Sequence, residues 1–291
     1  VEDIGETLTP VLRVDRGETD LLLIDLGDGA DRLGGSILAQ VFEQLGDECP
    51  DLEDAEKLRS FFAIVQELNE QGRLFAYHDR SDGGLFTTLV EMAFAGRTGL
   101  QIDLDNWASD AAQVISVLFS EELGAVLQVA RDDSSQILAR FEDAGIKGGM
   151  IGALATNDEI VFKHRGDVLL ANSRAQYQTW WAETSYRIQL MRDNPECARE
   201  EFDLILDPDD PGITSKLNFD PNEDVAAPFV GTSVAPKIAI LREQGVNSQV
   251  EMAAAFHRSG FDCIDVHMSD IFAGSVALDQ FKGIVACGGF S

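Results

Sequence analysis

Short apolar runs alternate along this chain with longer stretches whose apolar residues recur every three or four positions, and the alternation persists from residue 20 to residue 163. Asp20 to Leu26 (D-L-L-L-I-D-L) reads as a strand, followed by the acidic, Gly-rich loop Gly27 to Gly35 and a helix from Ile37 to Leu45. Ala55, Leu58, Phe61, Phe62, Val65 and Leu68 mark an amphipathic helix whose apolar stripe is read as core. Leu74 to Tyr77 reads as a short buried strand, and Leu85 to Ala95 is helical. Strands at Leu100 to Leu104, Ala125 to Val129, Met150 to Leu154 and Ile160 to Lys163 then alternate with helices at Ala111 to Phe119 and Ser134 to Ala144. The pattern predicts one α/β domain ending near residue 170.

Ser173 to Leu206 is mostly helical, and its adjacent Trp180 and Trp181 are suited to packing one segment onto another. From Asp207 to Pro236 the residues turn to Asp, Pro, Gly and Asn without apolar periodicity, which marks a linker. A new unit opens at Pro236. Lys237 to Leu241 is a strand, Gly245 to Ser248 a turn, Gln249 to Arg258 a helix, and Cys263 to Val266 and Gly283 to Ala286 are strands. This order is the opening of a doubly wound parallel sheet. Three strands with one helix leave an edge and a face uncovered, so the domain is expected to continue beyond Ser291. The chain also starts at Val1, as if cut from a longer one.

Charge narrows the partners. With 51 acidic and 22 basic residues the net charge is −29, which repels nucleic acid and anionic membranes. No apolar run approaches the ~20 residues that span a bilayer. Cys49, Cys197, Cys263 and Cys287 show neither zinc-ligand nor disulfide spacing, and a reducing, cytoplasmic setting is expected.

The chemistry concentrates in Tyr77 to Leu85, Y-H-D-R-S-D-G-G-L, at the turn between a strand and a helix. The first N–H groups of a helix lack intrahelical partners, and Gly83 and Gly84 allow backbone to approach a ligand, so a phosphate is welcome there. Asp79 suits a magnesium ion that keeps most of its waters and shares phosphate oxygens, and the Ser81 hydroxyl suits a direct phosphate contact. The plainer reading of the same string is that Ser81 or Asp82 caps the helix. His78 could orient Asp79, or could simply be satisfied by backbone. His164 is expected to face solvent.

The strings L-L-L-I-D-L-G, L-G-G-S, Y-H-D-R-S-D-G-G-L, E-M-A-F-A-G, P-K-I-A-I-L-R-E-Q-G-V-N-S-Q-V-E-M-A-A-A-F and F-K-G-I-V-A-C-G-G-F-S resemble the large, single-chain phosphoribosylformylglycinamidine synthases of bacterial purine biosynthesis. The resemblance covers nearly the whole chain. It implies an ATP-dependent carbon–nitrogen ligase that converts formylglycinamide ribonucleotide and glutamine to the amidine, with Mg2+ and ATP or ADP as cofactors. It also implies an aminoimidazole-ribonucleotide-synthetase-like C-terminal α/β lobe over residues 1–170, a helical segment and linker over 171–235, and the start of a class I glutamine amidotransferase domain over 236–291. Asp79 becomes a magnesium ligand, and Ser81, Gly83 and Gly84 become nucleotide contacts, at either the catalytic or an auxiliary site.

The same resemblance places the glutaminase Cys, His and Glu beyond Ser291, so no catalytic residue is assigned within the chain. Cys287 is read as a core cysteine, unpaired with His257 or His267. The N–H groups of Gly288 and Gly289 are candidates for an oxyanion hole, with a simple turn as the alternative. The implied partners are the remainder of the polypeptide and small-molecule substrates. A non-catalytic nucleotide-binding or interaction module, or another ATP-using enzyme of the same superfamily, are the competing functions.

Overall fold

The computed structural model describes residues 7–46, 48–208, 210, 212–213, 215–232 and 234–289. Two compact units divide the chain at Asp210 and Pro211.

In the first unit the elements run β1 (Thr19–Asp25), α1 (Ile37–Val41), α2 (Ala55–Glu70), β2 (Leu74–Asp79), α3 (Gly84–Gly96), β3 (Leu100–Asp103), α4 (Ala111–Phe119), β4 (Gly124–Ala130), α5 (Ser134–Asp143), β5 (Lys147–Leu154), β6 (Glu159–His164), β7 (Asp167–Ser173), α6 (Arg174–Arg192) and α7 (Pro195–Asp203). The seven strands form one sheet in the order β2-β4-β1-β5-β3-β6-β7. Every neighbouring pair is antiparallel except β3 with β6. All seven residues of β1 are buried, because it sits inside the sheet with helices on both faces. That is why its centre is the continuous apolar run Leu21 to Ile24.

Two cores result. Leu21, Leu23, Ala76, Leu100, Ile102 and Phe162 pack from one face of the sheet against the apolar sides of α3 and α4. Leu22, Ile24, Leu74 and Leu127 pack from the other face against Phe61, Val65 and Leu68 of α2 and Ile137 and Phe141 of α5. Asp54 caps α2 by accepting from the Glu56 N–H at 2.9 Å. Leu68 is fully buried, so Leu68→Ala removes about 2–5 kcal/mol of stability.

Several expectations change here. The helix at 37 ends at Val41 rather than Leu45. A seventh strand, Asp167–Ser173, occupies the sheet edge where the sequence pattern shows only a domain end. The stripe of α2 is not all core, because Phe62 is exposed while Phe61, Val65 and Leu68 are buried. Adjacent residues on a helix diverge by 100°, so one of the Phe pair had to leave the sheet. His164 is buried, not solvent-facing, with Nε2 at 2.9 Å from the Ala108 carbonyl. Trp180 and Trp181 do pack, edge-on to Tyr177 and Phe94 respectively, and each keeps one side open to solvent.

The second unit holds β8 (Lys237–Arg242), α8 (Gln249–Arg258), β9 (Asp262–His267), α9 (Met268–Phe272) and β10 (Gly283–Ala286). Its sheet is parallel throughout, in the order β10-β8-β9. His267 caps α9, its Nδ1 accepting from the Ser269 N–H at 3.2 Å. Cys287 follows β10 and is half-buried rather than a core residue. Among the described residues, no helix is long and apolar enough to cross a membrane.

Candidate functional site

The Tyr77 to Leu85 turn joins β2 to α3, and its side chains divide between the two faces of the sheet. Ala76 and His78 point toward α3, whereas Tyr77 and Asp79 point toward α2, as alternation along a strand requires. His78 and Asp79 are neighbours in sequence and back to back in space.

On the α3 side, His78 Nε2 lies 2.9 Å from Glu91 Oε2, and Glu91 Oε1 accepts from Trp181 Nε1 at 2.8 Å. An ionised carboxylate only accepts, so the imidazole donates through Nε2. One carboxylate thus ties β2, α3 and α6 together.

On the α2 side lies a cleft of about 680 Å3, lined by Ala55, Leu58, Arg59, Phe61 and Phe62 of α2 and by Tyr77, Asp79, Arg80 and Ser81 of the turn, with Leu26, Leu123 and Gly124 behind. Asp79 is exposed and accepts a short hydrogen bond from the Tyr77 hydroxyl at 2.5 Å through Oδ1. Burial, then the hydrogen bond to Asp79, push the Tyr77 phenol well above its ordinary range. Asp79 therefore meets a neutral phenol and keeps Oδ2 for another partner. Among the described residues, no group of three or more His, Cys, Asp and Glu is placed to hold a metal ion. One free carboxylate fits a magnesium ion that takes its remaining ligands from water and phosphate, and does not fit an all-protein cage.

Arg80 anchors the turn from beneath. Its guanidinium donates to Asp25 Oδ1 at 2.5 Å and to the carbonyls of Glu122 at 2.6 Å and Leu123 at 3.0 Å. Asp25 also accepts from the N–H groups of Gly27 at 3.2 Å and Gly29 at 2.8 Å. Asp31, in the same loop, adopts φ 49°, and burial followed by the nearby Asp25 charge raises its carboxyl. Arg32 clasps the buried Glu122 with two bonds, at 2.7 and 2.9 Å, and closes the loop onto the sheet.

The two glycines are engaged by the protein itself. Gly83 caps α3 with φ 82°, and its N–H donates to Glu121 Oε1 at 2.8 Å. The same oxygen accepts from the Ile37 N–H at 2.8 Å. Gly84 is buried with φ 68°, and a Cβ there would lie 2.6 Å from the Ser120 carbonyl, so the residue must be glycine. Its N–H donates to the Ser81 carbonyl at 2.9 Å. The Ser81 side chain is exposed at the mouth of the cleft.

Glu91, Glu121, Glu122 and Phe62 escaped sequence reasoning as site residues. The adjacent carboxylates of S-E-E-L-G ahead of a strand carried a signal for Glu121 and Glu122, whereas Glu91 and Phe62 sit in helical stretches that look like any amphipathic surface. In the second unit, Gly288 and Gly289 are exposed after β10 and lie against the loop before α8: Asn247 N–H donates to the Gly288 carbonyl at 2.8 Å, and Val246 bridges Gly289. That is the carboxyl end of a parallel sheet, where ligands of doubly wound folds bind.

Residues 19–164, half of the chain, match the family described as AIR synthase related protein, C-terminal domain. The chain belongs to the AIR synthase related family. Residues 235–291 match a second description, the CobB/CobQ-like glutamine amidotransferase domain. Among solved structures, the chain is similar to PurLQS from Thermotoga maritima, at 15% identity and TM-score 0.48 over 59% of this chain and 27% of that one. It is also similar to T. maritima PurL complexed with ATP (13%, TM-score 0.46, 66% and 28%). A third is phosphoribosylformylglycinamidine synthase II from T. maritima (12%, TM-score 0.45, 88% and 34%). The chain therefore spans about a third or less of the length of these relatives. The AIR synthase related match includes the whole turn and the strands that frame it.

Proposed function

We propose that the chain is part of an ATP-dependent carbon–nitrogen ligase that makes formylglycinamidine ribonucleotide from formylglycinamide ribonucleotide and glutamine in purine synthesis. The observation that carries this reading is the order of the two family matches in one chain: an AIR synthase related domain over residues 19–164 and, after an intervening segment, a glutamine amidotransferase domain over residues 235–291. The first kind of domain suits phosphate activation of an amide oxygen, and the second suits delivery of ammonia from glutamine. A ligase that takes its nitrogen from glutamine uses both.

In this reading Asp79 holds a magnesium ion, which when bound offsets phosphate charge, and the Ser81 hydroxyl donates to a phosphate oxygen. Gly83 N–H reaches the same phosphate once Glu121 turns aside, and Gly84 sets the backbone path. The carboxylate–imidazole pair of Glu91 and His78 keeps β2 fixed from the far side of the sheet. Gly288 and Gly289 supply N–H groups toward the oxyanion of the glutaminase intermediate, whose nucleophile, His and Glu lie outside this chain. A cytoplasmic setting and assembly with the remainder of the polypeptide complete the proposal.

The test is ligase activity of the complete reading frame with ammonia and with glutamine, beside the Asp79→Asn variant. We expect amidine formation with either nitrogen source. The variant should lose magnesium-dependent nucleotide retention and ligase turnover while still hydrolysing glutamine. Absence of amidine product from the unmodified protein with both nitrogen sources overturns the reading.

A further inference from the structure

The cleft beside the turn has two unlike walls. One carries the polar pair Asp79 and Ser81 beside Tyr77, and the other is α2, with Leu58, Arg59 and Phe62. Phe61 belongs to the core, tilted against Phe141 with ring centroids 6.0 Å apart. Phe62 is 62% exposed although it lines a cavity, and among the described residues no aromatic ring packs against it. Arg59, 80% exposed, pairs with Glu56 at 3.2 Å on the open surface. Arg80 cannot serve a ligand in its place, because Asp25 and two carbonyls already hold its guanidinium.

A volume of about 680 Å3 falls within the range of small-molecule sites. An uncovered ring and an arginine from α2, together with a carboxylate and a hydroxyl from the turn, line one cleft and form the complement of a molecule with a flat apolar part and an anionic part. We propose that Phe62 is the platform on which the base of a nucleotide stacks, with its phosphates lying toward Asp79 and Ser81 and Arg59 flanking them. This rests on the nucleotide reading of the turn and adds to it the binding wall, which is on α2 and outside the Y-H-D-R-S-D-G-G string. Stacking suits Phe62 because every nucleobase presents a π-face, and removal of one such aromatic typically weakens binding by about tenfold.

The experiment is calorimetric titration of the 291-residue chain with magnesium ATP and, separately, with magnesium tripolyphosphate, which keeps the charges and lacks the base. ATP should bind about tenfold tighter than tripolyphosphate. Phe62→Ala should bring ATP down to the tripolyphosphate level with an unchanged melting temperature, since the ring is outside the core. Phe62→Trp should restore the preference, and Asp79→Asn should weaken both ligands alike. Equal affinity of the unmodified chain for the two ligands, or an ATP preference that survives Phe62→Ala, overturns the stacking role and leaves the phosphate site standing. If neither ligand binds, the nucleotide reading of the turn fails and the stacking role fails with it.

Discussion

Arg80 Nη2 lies 2.5 Å from Asp25 Oδ1, and the two side chains are only 1% and 2% exposed. The pair joins the start of the candidate turn to the end of the central strand β1. It holds because the guanidinium also meets two carbonyls and the carboxylate also meets two glycine N–H groups, so little of either charge is left unpaired.

Arg80→Ala therefore leaves the Asp25 charge buried without compensation and should cost about 3–5 kcal/mol. Adding Asp25→Asn should recover part of the loss, because the stranded charge is then gone. Urea denaturation of the three variants measures this, and equal midpoints for Arg80→Ala and the double variant would contradict it.

Glu121 ties two separate N–H groups, those of Gly83 and Ile37, through one oxygen. Glu121→Ala should destabilise by about 1–3 kcal/mol through the two stranded donors, and Glu121→Gln should keep most of the stability because an amide oxygen still accepts. Thermal melts of both variants, with amide exchange at Gly83, distinguish the outcomes.

Ser120 Oγ is buried and, among the described residues, has no hydrogen-bond partner, at the end of α4 where Gly84 packs. An unsatisfied buried hydroxyl opposes folding, so Ser120→Ala should raise stability by about 1 kcal/mol, read as a higher denaturation midpoint at unchanged slope.

Asp31 should make stability depend on pH. Its folded carboxyl titrates above the unfolded value because of burial and the neighbouring Asp25. The sign follows from linkage: the neutral form is favoured by folding below the unfolded pKa of about 3.9, and that benefit is lost as pH rises through the raised folded value. Asp31→Asn removes the ionisation and tolerates the left-handed backbone. The variant should melt higher than the parent at pH 7, with the gap closing below about pH 4. A gap independent of pH would assign the gain to the backbone alone.

Much of this protein was legible in one dimension. The run D-L-L-L-I-D-L from Asp20 to Leu26 announced a strand, and a helical spacing that includes Phe61, Val65 and Leu68 announced an amphipathic α2 with a core-facing stripe. The polar string between an apolar strand and a Gly-Gly start located the turn itself, because chain reversal, helix capping and ligand approach all select the same few residue types. These are properties of local backbone and of periodicity, and they need no partner from elsewhere in the chain.

Strand direction, neighbour order and long-range polar pairing are different. The edge strand β7 has Val168, Leu169 and Leu170 exposed in succession, so the alternation that marks a strand in sequence is absent. The antiparallel pairing of β1 with β4 and β5 joins residues 99 to 131 positions apart, which no local pattern encodes. The same holds for the site. That Asp79 and Ser81 lie together in one turn could be read from the string they occupy. That Glu121 occupies the Gly83 N–H, that Arg80 turns inward to Asp25, that Glu91 holds His78 on the opposite face and that Phe62 stands open beside the carboxylate were decided by tertiary packing alone. A side chain's partner depends on which surfaces the fold brings within a few ångströms, and sequence spacing determines that only along a single element.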